Sequence, residues 1–142
     1  MKGFTLVEIL LALALIAFIA GASIPVYQSF QIKNELDNAL NTLVQTLRRA
    51  QLLSQAVDGD SPWGVYLQSN SLTLFKGASF AARDANFDEA FAFQTELTPS
   101  GIQEIVFDKF SGTLQTTGTI TLTTNTGETK SATINERGTI NY

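Results

Sequence analysis

The chain has 142 residues, 44% of them hydrophobic, a net charge of −4, and neither histidine nor cysteine. The missing histidine removes imidazole acid–base catalysis and the commonest metal ligand, and the missing cysteine removes disulfides and thiolate metal sites. The acidic balance gives no long-range attraction to nucleic acid or anionic lipid, so no nucleic-acid partner, cofactor, catalytic residue or metal ligand is assigned, and the length suits one domain plus an extension.

Residues 4–24 read FTLVEILLALALIAFIAGASI, with Glu8 as the single charge. As a helix this run is about 32 Å long at ~1.5 Å per residue, enough for a ~30 Å hydrocarbon core. Lys2 precedes it, which places the N-terminus on the cytoplasmic side. A secretory signal peptide would use Lys2 and the small residues Ala20-Gly21-Ala22, but the run exceeds the usual ~7–15 apolar residues and contains a carboxylate. A plain membrane anchor accounts for the length and leaves Glu8 unexplained. An ionisable group in a spanning helix costs on the order of 2–3 kcal/mol or more, and such groups usually have a function.

A third reading comes from the junction itself. Lys2-Gly3-Phe4-Thr5-Leu6-Val7-Glu8 resembles the class III leader junction of type IV prepilins and type II secretion pseudopilins. The resemblance implies cleavage between Gly3 and Phe4 by a prepilin peptidase, and N-methylation of the new Phe4 amine. Gly3, lacking a side chain, suits a narrow protease cleft. Phe4 and Glu8 lie four residues apart, on one helix face. Glu8 then has two possible roles. It can reach the cytoplasmic interface or its own Phe4 amine. Alternatively, as the family implies, it pairs with the Phe4 amine of a neighbouring subunit, since an unpaired charge in an apolar bundle is costly.

Pro25 follows the apolar run and bends or interrupts a helix there; many pilins carry a proline at this place. Residues 26–57 are predicted helical, with Leu36, Leu40, Leu43, Leu47 and Ala50 at 4-3-4-3 spacing forming a stripe that packs on the chain's own domain. Arg48-Arg49 is expected to be solvated. Asp58-Gly59-Asp60-Ser61-Pro62 should end the helix.

Beyond it the pattern changes to period two. Trp63, Val65 and Leu67, then Leu72 and Leu74, Phe91 and Phe93, the run 102–107, Ile120 and Leu122, and Ile140 with Tyr142 predict half-buried antiparallel strands. Asn125-Thr126-Gly127-Glu128 suggests a hairpin turn. Gly112, Gly118 and Gly138, each followed by Thr, are expected to open strands. Residues 76–90 are expected to be a loop able to carry partner specificity.

Asp84-Ala-Asn86-Phe-Asp88 has the spacing that begins a calcium loop, but Glu89 stands where glycine is needed and Thr95 where the closing glutamate belongs, so a solvated acidic loop is expected. Leu47-Arg48-Arg49-Ala50-Gln51, Trp63-Gly64-Val65-Tyr66, Ile105-Val106-Phe107 with Gly112, and the strand after Gly138 are similar to the H-type pseudopilin and FimT-like minor pilin branch. Some FimT-like pilins bind DNA through a basic C-terminal segment; here Glu136 flanks Arg137 and no arginine follows Gly138, which counts against DNA uptake.

The expected fold is α+β: a long N-terminal α-helix, its first half membrane-spanning, packed on a small antiparallel β-sheet domain. Residues 1–3 would be the cleaved leader, 4–24 the transmembrane and filament-core helix, 25–57 its amphipathic continuation and 58–142 the β-domain. The expected function is structural: a minor pilin or pseudopilin of a type IV pilus or type II secretion filament, not an enzyme. It would be single-pass in the inner membrane with an extracytoplasmic C-terminal domain, then part of a periplasmic or surface filament. Its expected partners are the prepilin peptidase, other pilins or pseudopilins, the inner-membrane assembly platform and membrane lipid. The alternative is a secreted or membrane-anchored β-domain that binds some ligand.

Overall fold

A computed structural model describes residues 3–142, apart from the side chains of residues 22–26. Its elements are helix α1 (Leu6–Gln55), a 3₁₀ turn (Asp58–Asp60), and strands β1 (Trp63–Gln68), β2 (Ser71–Lys76), β3 (Asp84–Ala92), β4 (Leu97–Gly101), β5 (Glu104–Phe107), β6 (Gly118–Thr124), β7 (Thr129–Ile134) and β8 (Ile140–Asn141). They form two compact units, Met1–Lys33 and Asn34–Tyr142. The chain is therefore α+β, a long N-terminal helix packed on small antiparallel sheets.

In the first unit α1 leaves its apolar side chains open. Leu6, Ile9, Leu10, Leu13 and Ile16 are all exposed. Among the described residues, no helix is long and apolar enough to cross a membrane. The apolar run 4–24 reaches into residues 22–26, and the expected bend at Pro25 lies outside the described residues, as does Lys2.

In the second unit the same helix buries its stripe. Leu36, Leu40, Leu43, Leu47 and Ala50 are all buried. They share one core with inward residues of two four-stranded sheets, ordered β3-β2-β1-β5 and β4-β6-β7-β8. Alternation works as the period-two rule requires: Ile120, Leu122 and Thr124 are buried while Thr119 is exposed and Thr121 and Thr123 are partly so.

The β1–β2 hairpin turns through Ser69-Asn70 with Asn70 at φ 66°, a conformation asparagine tolerates. Asn70 also joins the two sheets. Its N–H donates to the Leu97 carbonyl at 3.0 Å, and its side-chain oxygen accepts the Leu97 N–H at 2.8 Å. The β6–β7 hairpin turns at the predicted Asn125–Glu128, and Thr124 Oγ1 accepts the Glu128 N–H.

One expectation needs correction. The loop expected over residues 76–90 is strand from Asp84 onward, paired with β2 through Leu72↔Phe91 and Leu74↔Glu89. Asp, Asn and Ala favour strands poorly, but this is an edge strand, where charges are common because they discourage pairing with other chains. Arg48 and Arg49 are exposed as expected, and the Arg49 guanidinium forks onto the partly exposed Glu89 of β3 with two 2.6 Å bonds. Strand β4 was not anticipated. It carries Pro99, which an edge strand accepts because one side of its ladder needs no N–H.

Candidate functional site

Thr5 and Glu8 start the helix together. Glu8 Oε2 accepts the Thr5 N–H and the Thr5 hydroxyl, both at 3.0 Å, while Thr5 Oγ1 accepts the Glu8 N–H at 3.3 Å. This is a capping box, in which each side chain satisfies the other's otherwise orphaned backbone donor. The T-x-x-E spacing was visible in the sequence, and its capping role was missed because the apolar run around Glu8 drew the reading to charge burial.

The box holds the carboxylate toward the start of the chain. Gly3, Phe4, Thr5 and Glu8 line one shallow hollow, and Phe4, Glu8, Ile9, Ala12 and Leu13 line the next. Three of the expected site residues, Gly3, Phe4 and Glu8, therefore stand together, with the Phe4 ring exposed; the fourth, Pro25, lies outside the described residues. In the uncut chain the Phe4 nitrogen is a neutral amide, and among the described residues the Glu8 carboxylate is held by the Thr5 hydrogen-bond donors. Cutting before Phe4 would turn that nitrogen into an ammonium beside the same carboxylate.

The acidic spacing in β3 does not converge. Asp84 Oδ1 accepts from the Asn86 backbone and side-chain amides at 3.1 and 2.9 Å. Asp88 is held by Arg83 Nε at 2.7 Å. Among the described residues no group of three or more acidic side chains is placed to hold a metal ion. The Arg83 guanidinium also lies over the Phe80 ring, which stacks on Tyr66 at 4.1 Å. This closes residues 77–83 over the outer face of β1.

Glutamines near the end of α1 grip the C-terminal turns. Gln51 Nε2 donates to the carbonyls of Gly112 and Arg137, each at 3.0 Å. Gly112 and Gly138 have φ of 63° and 76°, a left-handed region that favours glycine. A Cβ on Gly138 would strike the Gln51 amide, and one on Gly112 would strike Gln55. At the same end Lys109 Nζ bonds Asp60 at 2.8 Å, and this hydrogen bond and charge hold the Asp60 carboxyl below its ordinary range.

Residues 1–24 match the prokaryotic N-terminal methylation motif. That match supports a type IV pilin-like, prepilin-processed subunit, and it points to a structural protein rather than an enzyme. The motif segment holds Gly3, Phe4, Thr5 and Glu8, the residues that share the hollow at the helix start. No curated protein and no solved structure matches the chain.

Proposed function

We propose that the chain is a minor pilin or pseudopilin of a type IV pilus or type II secretion filament. A prepilin peptidase cuts between Gly3 and Phe4, and the new Phe4 amine is methylated. The apolar segment then anchors the subunit once in the inner membrane, with residues 58–142 outside the cytoplasm, until the assembly platform moves it into a filament.

The observation that carries this reading is the methylation-motif match over a segment whose one charge is Glu8. The capping box explains how Glu8 is oriented. Lipid or a neighbouring helix would strip water from the exposed side chains of α1, and the carboxylate would then need a positive partner. The Phe4 ammonium of an adjacent copy supplies one, and pairing the two fixes how far one helix slides along another. The methyl group leaves the amine charged while removing one N–H donor.

Within this family the H-type and FimT-like branch is the favoured placement. It is supported by Gln51, Gly112 and Gly138, three residues of that resemblance which meet at one place on the domain.

Intact mass of the chain purified from membranes tests the reading. The expected mass corresponds to loss of residues 1–3 and gain of one methyl group. A chain that begins at Ser23, or that keeps Met1, rejects it.

A further inference from the structure

The loop of the β2–β3 hairpin, residues 77–83, folds back on its own sheet instead of extending beyond it. Its ends are pinned by the Lys76↔Asp84 pair of the ladder. They come so close that a Cβ on Gly77 would sit 2.8 Å from the Arg83 Cα. A loop closed in this way moves as one piece about its ends.

Beneath it lies a second apolar cluster. Phe75 of β2 and Val106 of β5 both sit opposite Gly64, and directly opposed residues share a face of the sheet. Tyr66, two residues on from Gly64, shares that face too. Phe75 is fully buried and Val106 is 6% exposed, yet neither belongs to the core that α1 shares with the two sheets. Phe80 reaches this face from the loop: its ring stacks on Tyr66 and meets Phe75 edge-on at 5.5 Å. Ala78, Ala81 and Ala82 stand exposed on the loop's other side.

The rest of the loop's hold is polar, and one group in it is left unmatched. Glu104 Oε1 accepts the Phe80 N–H at 2.8 Å, and Arg83 donates to the Phe80 carbonyl and to Asp88 Oδ2, both at 2.7 Å. The other Asp88 oxygen, Oδ1, is buried and among the described residues has no hydrogen-bond partner. An unsatisfied buried acceptor raises the free energy of the closed arrangement, and swinging the loop outward returns it to water. None of residues 77–83 belongs to the main core, so that movement leaves the packing around α1 in place.

We propose that residues 77–83 are a strap that opens while both sheets stay formed, with the Arg83–Asp88 pair as its latch. The closed strap presents alanines to solvent, and the open strap bares the rings of Tyr66 and Phe75. One fold thus carries two surfaces, and the balance between them is set by an ion pair, one hydrogen bond to Glu104 and one ring stack. Local openings of this kind cost less than global unfolding. The device belongs to the Asn34–Tyr142 unit and does not depend on how the N-terminus is processed.

The chain has no native cysteine, so one introduced thiol reports on its own site. Full-length chain in detergent carries either Val106→Cys on the covered face or Ala132→Cys in the main core, where Ala132 is fully buried. Each is labelled with a small maleimide under native conditions. The Val106→Cys thiol is expected to react about a hundredfold faster, because only the Ala132→Cys thiol waits for global unfolding. Adding Arg83→Gln should raise the Val106→Cys rate about tenfold and leave the Ala132→Cys rate unchanged. Equal rates at the two thiols, or an equal rise in both with Arg83→Gln, overturn the strap. A fast Val106→Cys thiol that does not respond to Arg83→Gln overturns the latch. Amide exchange in the unsubstituted chain gives a second reading that no misfolded variant can spoil. The Phe80 amide is expected to exchange through an opening with little denaturant dependence, and the ladder amides of β1 and β2 through a steeply dependent one. Exchange of all of them through one steeply dependent opening also overturns the strap.

Discussion

Leucines on one helix meet opposite fates. Leu6, Leu10 and Leu13 stand exposed, while Leu36, Leu40, Leu43 and Leu47 are buried. Helix propensity is the same for both sets, and so is the transfer free energy of the side chain. What differs is whether the chain supplies a covering surface. The second set shares one core with residues of the strands, and the first set stands exposed in its own unit. An apolar face that its own chain leaves open is suited to lipid or to another molecule. In that setting one carboxylate among leucines becomes a device for choosing a partner.

The sharpest way to break this comparison is Glu8→Ala. Incorporation into filament is expected to be lost, as read by the sedimentable fraction of mature chain, while the melting temperature of the domain stays unchanged. Normal incorporation would reject the pairing role of Glu8. Next in size, Leu47→Ala should destabilise the Asn34–Tyr142 unit by about 2–5 kcal/mol in urea unfolding, because it opens a cavity in a closed core. Leu10→Ala should leave that transition within about 0.5 kcal/mol, the range for exposed sites.

Gln51→Ala removes two hydrogen bonds to carbonyls and should cost about 1–3 kcal/mol. Hydrogen exchange should then rise in residues 110–114 and 135–140, and not in β1. The smallest effect is expected from Lys109→Met. Asp60 has a folded pKa below its unfolded one, so its contribution to stability is present above the unfolded value and is lost as pH falls through the folded one, below about pH 4. The variant should move the Asp60 titration, followed by carboxyl NMR shifts, up toward the ordinary aspartate range and flatten that acid dependence.

Much of the second unit could be read in advance because its signals are local. The 4-3-4-3 stripe on α1, the alternation in β1, β2 and β6, and the turn at Asn125–Glu128 each follow from side-chain period or turn chemistry within a few residues. Strand β3 could not be read that way. Its segment DANFDEA shows no hydrophobic alternation, and it becomes a strand because β2 offers a ladder and Arg49 and Arg83 take up Glu89 and Asp88. The glycines at 112 and 138 were legible as turn residues. Their glutamine neighbours were not, because Gln51 and Arg137 are 86 residues apart.

At the N-terminus, residue types and spacing carried the resemblance that named the candidate site: an apolar run, one carboxylate, and a glycine–phenylalanine junction four residues before it. These are properties of a short segment, and composition fixes its solvent preference. Only the tertiary structure decided which apolar face of α1 is covered and which charges in β3 are matched, because each depends on segments distant in sequence meeting across a packed core.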